Sequence, residues 1–166
     1  MSQKSFQDEY PAVLAHCYGC GRLNAHGLQL QSRWEGDEVV ARFTPQPQHM
    51  SLPGFVYGGL IASLVDCHAM ATAAAHAERL AGREPGDAET PRYVTAGLHV
   101  DYLAPTPLGP ELVVRARVKE TGRRKIVVAV PVWAGELETA RGEVVALPMP
   151  AAMSAPPSQG HDEGTR

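Results

Sequence analysis

Apolar and polar residues alternate with a period of two through most of the second half of the chain. From Glu111 to Lys119, Leu112, Val114, Ala116 and Val118 fall on one side, and Val113, Arg115, Arg117 and Lys119 on the other. That is the pattern of a strand with one covered face. Arg123 to Trp133 repeats it with Ile126, Val128, Val130 and Val132 inward, and Pro131 marks an edge or a bulge. Tyr93–Leu103 and Leu137–Leu147 are two further strands, and Thr121-Gly122 and Gly135-Glu136 are turns between them. Nearer the start, Gly27–Trp34 and Glu38–Phe43 alternate about Glu35-Gly36-Asp37 and read as a hairpin. Between these halves the period changes. Leu60, Ile61, Leu64, Val65, His68, Ala71 and Thr72 follow helical spacing in an Ala-rich stretch, so a helix runs from Gly59 to about Leu80 and Gly82 ends it. Strand, strand, helix and four strands predict an α+β domain, with about six antiparallel strands wrapped round one long helix. Such a sheet covers one side of the helix, and the remaining face calls for a second copy.

The rest of the chain adds little order. Residues 1–14 read as a flexible leader, 15–147 as the single folded domain and 148–166 as a disordered, Pro-rich tail. The segment Gly82–Pro91 reads as a polar loop. A net charge of −3 and a pI near 6.1 speak against a basic nucleic-acid surface, and no helix-turn-helix pattern is present. No apolar run reaches the roughly 18–20 residues of a membrane span, and Met1–Tyr10 lacks the apolar stretch of a signal peptide. The expectation is a soluble cytoplasmic protein with Cys17, Cys20 and Cys67 reduced. The basic residues are lopsided, 12 Arg to 3 Lys. Such a bias fits genome composition, and Arg also forks well onto phosphates, so the sequence leaves both readings open.

Candidate chemistry gathers between Pro53 and Asp66. Gly58 and Gly59 open the helix, where free N–H groups and the positive dipole end could hold a carbonyl oxygen. Asp66 is the only acid on the helix body before Glu78, and it sits among Leu64, Val65 and Cys67, where a carboxylate needs work or a partner. The same residues also fit a plain tight turn and an Asp paired with an Arg. Gly59 and Asp66 share a helix face but stand about 10 Å apart along the axis. Two antiparallel helices from two copies would bring one of each together.

Three pieces resemble the hotdog-fold acyl-CoA thioesterases of the phenylacetate-pathway type. They are Cys17-Tyr18-Gly19-Cys20-Gly21 with Asn24-Ala25-His26-Gly27-Leu28, then His49 to Asp66, then Leu98 to Pro105 with Leu108-Gly109. The resemblance spans roughly residues 15–147. It implies hydrolysis of an acyl-CoA to free acid and coenzyme A without a cofactor, by a homodimer or a dimer of dimers. Asp66 would be general base or nucleophile, and the Gly59 N–H would polarise the carbonyl. Two positions depart from the family: Tyr57 stands where its His-Gly-Gly motif has His, and Cys67 follows Asp66 where many relatives carry an acid.

Other residues are candidates for substrate contact. Asn24 could orient a substrate or simply form a turn. His49 matches a position near the pocket mouth. Tyr57 keeps a hydroxyl, Gly58 lends backbone, and Ser63 could support the pocket or only allow close packing. Arg123 and Arg124, after the Thr121-Gly122 turn, could meet coenzyme A phosphates or merely be solvated. His68 points to another helix face than Asp66 and reads as a core or interface His. Trp34 and Trp133 read as covering the sheet. Cys17-x-x-Cys20 with His16 and His26 is half a zinc pattern, but no second pair exists, so no metal is assigned. A hydratase of the same fold needs His five residues after the acid, and Ala71 is there. A non-catalytic acyl-CoA-binding protein remains the alternative, with Tyr57 as its best support.

Overall fold

The chain forms β1 (Ser32–Glu35), β2 (Glu38–Phe43), α1 (Gly58–Leu80), β3 (Tyr93–Tyr102), β4 (Leu112–Thr121), β5 (Ile126–Ala134) and β6 (Leu137–Pro148). The computed structural model describes residues 4–84 and 90–153. The six strands make one antiparallel sheet in the order β1-β2-β4-β5-β6-β3. Helix α1 packs on β3, β4, β5 and β6. This is the α+β hotdog architecture that the periodicity and the resemblance lead one to expect. Leu60, Ile61, Leu64 and Val65 of α1 meet Val114, Val128, Val130, Val132 and Val144 of the sheet, all buried. Each such side chain contributes roughly 1.5–3 kcal/mol. By length and composition α1 could cross a membrane, at a mean hydropathy of 1.2, but 67% of that window is buried inside the fold.

The end of α1 is a built stop. Gly82 has φ of 68°, its N–H donates to the Arg79 carbonyl, and the Arg83 N–H reaches back to Glu78. That double closure needs a left-handed residue just past the helix. Gly82→Ala should therefore lower stability by roughly 1 kcal/mol. A urea midpoint equal to wild type would contradict this. The same turn lets Arg83 grip the buried Glu78 carboxylate with two bonds, at 3.0 and 3.2 Å.

Several expectations change in the folded chain. The leader is not loose over its described part. Phe6, Gln7 and Tyr10 are buried, Phe6 meets Trp34 edge-on at 6.0 Å, and the Gln7 amide bridges Ser32 through both of its ends. The first strand is shorter than Gly27–Trp34. Gln29 adopts φ of 51°, and the Leu28 and Leu30 N–H groups donate to Tyr18 and Gly19 of the Cys-containing loop rather than to a strand. Pro131 lies in β5, an interior strand; the β4–β5 pairing skips from Val114↔Val132 to Arg117↔Ala129 opposite it, because proline has no N–H to give. Strand β6 runs to Pro148 and a short 3₁₀ turn follows at Ala151–Met153, so residues 148–153 are ordered rather than part of a disordered tail. Residues 154–166, and 85–89 of the Gly82–Pro91 loop, lie outside the described residues. The arginines are put to use: Arg115 and Arg117 both clasp Glu38, Arg141 clasps Glu138, and Arg79 lies 3.3 Å over the Trp34 ring.

Candidate active site

One stripe of α1 is left half-open by the sheet. It carries Gly59, Ala62, Ser63, Asp66 and Met70, three to four residues apart. Strand β3 runs antiparallel beside it, so its start meets the middle of the helix and its end meets the helix N-terminus. Thr95 of β3 donates its hydroxyl proton to the Asp66 carboxylate. The register of β3 shifts between Thr95 and Gly97. Such a bulge re-aims the side chains beside it, and here it stands next to the residue that holds Asp66. No Lys, Arg or His forms an ion pair with Asp66 among the described residues.

Asp66 and Thr95 border a cavity of about 260 Å³. Its wall is mostly apolar, with Tyr10, Leu14, Met70, Ala71, Ala74, Tyr93 and Met149, and Cys17, Cys20 and Cys67 also reach it. Arg92 lines it too, stacked 3.4 Å over the Tyr10 ring. The Arg92 Nη2 is buried without a hydrogen-bond partner among the described residues. An apolar cavity bordered by a carboxylate and one underused guanidinium suits an acyl group presented to an acid.

The helix start is a second half-site. Leu60 and Ile61 donate to the Tyr57 carbonyl, and no hydrogen bond among the described residues uses the Gly58 or Gly59 N–H. The Tyr102 hydroxyl donates to the Gly58 carbonyl at 2.7 Å, and Ser63 donates to the Gly59 carbonyl at 2.9 Å. Burial, with Tyr57 adding a smaller contribution, raises the Tyr102 phenol above its ordinary value. The Tyr57 ring lies directly on Gly59: a Cβ there would fall 2.3 Å from it. Glycine is thus required by contact as well as by the chemistry expected of it. Tyr57 itself is exposed, and its N–H donates to the His49 carbonyl at 2.8 Å.

The remaining candidates fall elsewhere. The His49 ring accepts the Gln46 N–H at 2.9 Å and packs on Phe43, beside a different cavity that also takes in Tyr18 and His26. Asn24 closes a turn, accepting the His26 N–H and donating to the His16 carbonyl. Arg123 and Arg124 are exposed at the β4–β5 turn, which the Gly122 N–H closes on the Lys125 carbonyl. Thr95, Ala146, Ile126 and Thr121 are successive partners across the sheet, so that turn shares the Asp66 end but stands three strands away, roughly 14 Å. Within one chain, then, Asp66 comes together with Thr95 and the cavity, but not with Gly59. Thr95 and Arg92 carried no signal in the sequence beyond lying in or beside an alternating strand, and Tyr102 none beyond its place in the Leu98–Pro105 piece of the family resemblance.

Known proteins place this geometry in a family. A structure from Shewanella loihica PV-4, a thioesterase superfamily protein, is 44% identical with a TM-score of 0.64, over 83% of this chain and 97% of that one. The Escherichia coli PaaI protein of the phenylacetic acid degradation operon has the same fold at 16% identity and a TM-score of 0.60, over 74% and 81% of the two chains. The acyl-coenzyme A thioesterase THEM4 of Xenopus laevis is 30% identical over 109 residues, which are 66% of this chain. The chain spans about 43% of the length of that relative. Residues 53–141, more than half of the chain and including both Gly59 and Asp66, match the sequence pattern of the thioesterase superfamily, and the chain belongs to that family.

Proposed function

We propose that this protein hydrolyses an acyl-CoA thioester to the free acid and coenzyme A. The observation that carries the reading is Asp66: a carboxylate without a basic partner, held by Thr95 at the rim of an apolar cavity. A water activated by Asp66 gives up its proton and bonds through oxygen to the thioester carbon. The carbon–sulfur bond then breaks, and the coenzyme A thiolate leaves with a proton. Direct attack by the Asp66 carboxylate, followed by hydrolysis of the acyl-enzyme, reaches the same products. Charge on the carbonyl oxygen is held by the Gly59 N–H of a second copy. A protein of this fold from Streptococcus mutans was solved with acetyl CoA bound, at 20% identity, TM-score 0.57 and 72% and 88% coverage of the two chains, so the fold accommodates this class of ligand.

The second copy is motivated by the sheet edge. Strand β3 ends the sheet, so one side of its backbone is unpaired, and Leu98, Tyr102 and Leu103 are exposed around it. Pairing two β3 edges lays two α1 helices side by side and opposite in direction. That brings Asp66 of one copy toward Gly59 of the other, in a homodimer or a dimer of dimers.

The deciding measurement is release of free thiol from a panel of acyl-CoAs, wild type beside Asp66→Asn. Arg123 and Arg124 are assigned to the coenzyme A phosphates. Replacing both with Ala should raise KM roughly tenfold and leave kcat near wild type, because exposed phosphate contacts bind substrate and transition state alike. An unchanged KM removes them from the site. The non-catalytic reading is favoured by one observation, the Tyr57 ring covering Gly59. Tight binding of acyl-CoA with no thiol released would establish it.

A further inference from the structure

We propose that Cys17, Cys20 and Cys67 form a three-thiolate site for a zinc ion whose fourth position opens on the cavity beside Asp66. The three Sγ atoms all lie within 4.8 Å of one another, and those of Cys17 and Cys67 are 3.6 Å apart. Zinc bonds thiolates at about 2.3 Å, which in a tetrahedron sets neighbouring sulfurs about 3.8 Å apart. The cluster therefore needs little movement to close on such an ion. No other Cys, His, Asp or Glu among the described residues joins the group, so three protein ligands leave one position free.

The backbone around the sulfurs is shaped for this. The Gly21 N–H closes a turn on the Cys17 carbonyl at 2.8 Å, in the same loop that carries Cys20. Gly19 lets α1 approach: a Cβ there would sit 2.2 Å from Cys67 Sγ. A Cβ on Gly21 would sit 2.5 Å from the Cys17 nitrogen. Both glycines stand where the chain folds tightest about the sulfurs. The Cys-x-x-Cys pair in the leading loop was only half a site in sequence, and the fold supplies the third ligand from the middle of α1.

Three thiolates select a soft cation over calcium or magnesium, which take oxygen. The ion would fasten the loop before β1 to α1, one residue from Asp66. Cys17, Cys20, Asp66 and Cys67 all line the same cavity, the one on which the proposed free position opens.

The test uses the full chain, reduced and stripped by a chelator, then titrated anaerobically with cobalt(II) as a coloured stand-in for zinc. The expected result is a thiolate-to-cobalt charge-transfer band that saturates at about one equivalent per chain and disappears on adding zinc. Cys17→Ser and Cys67→Ser should each abolish it. Cys17 is exposed, so its variant keeps the core, and far-UV circular dichroism confirms the fold of both. Absence of the band in reduced wild type overturns the proposal, as does a band that survives in either variant. A Cys17–Cys67 disulfide in the purified chain, with no cobalt taken up after reduction, overturns it as well. The readout is optical, so it stands apart from whether the protein hydrolyses thioesters.

Discussion

Asp66→Asn is expected to lower kcat for acyl-CoA hydrolysis by roughly 10²–10⁴-fold, the range for removing a positioned general base. The amide keeps the size of the carboxylate, and its oxygen still accepts the Thr95 hydroxyl proton, so the half-buried site and the β3 bulge beside it are preserved. What is lost is the charge that takes a proton from water or attacks the carbonyl. The loss should therefore fall on kcat, with KM close to wild type, since the acyl cavity and the coenzyme A contacts are untouched. Thr95→Val is the milder companion: the carboxylate remains but loses its orienting donor. A wild-type rate in Asp66→Asn would remove Asp66 from the mechanism and with it the proposed hydrolysis at this site.

Acidification should cost about 3 kcal/mol of folding stability through His68 alone. This ring is fully buried, and burial pushes its pKa from 6.5 down to about 4, against a smaller opposing pull from the Val39 carbonyl. In the neutral ring Nε2–H donates to the Val39 carbonyl at 3.0 Å and Nδ1 accepts the Ser32 hydroxyl proton at 2.8 Å, so both nitrogens are satisfied without a charge. Ser32 in turn bonds the Gln7 amide, which ties the network to the start of the chain. The sign follows from the depressed value. Between pH 6.5 and about 4 the unfolded chain takes up a proton that the folded chain refuses. The stability this group contributes is thus complete above pH 6.5, declines as the pH falls, and is gone near pH 4. Urea unfolding at pH 7 and pH 4.5 measures it, with His68→Gln beside wild type. Equal acid losses in the two proteins would assign the effect to other groups.

Much of this protein was legible before folding was considered. Periods of two and 3.6 in apolar residues are local properties, and they located five of the six strands and all of α1 to within a few residues. The remaining strand, β1, was overextended because a left-handed Gln29 leaves no trace in an apolar–polar pattern. Asp66 stood out because a charge amid apolar helix residues is costly wherever the helix packs. The leading segment was misread for the opposite reason. Phe6, Gln7 and Tyr10 show no period, since each is buried by a separate long-range contact rather than by one repeating face.

By itself the sequence determined the element order, the inward faces of the strands, the helix that carries Gly59 and Asp66, and the family motif around them. Tertiary structure alone decided who stands beside Asp66. Thr95 reaches it through a bulge 29 residues later in the chain, and Tyr102 reaches Gly58 across 44. Cys67 meets Cys17 across 50, which turns half a metal pattern into a closed triad of sulfurs. Such pairings depend on sheet register and on how closely a helix sits on a glycine. Both come from packing the whole core at once, so no window of residues contains them.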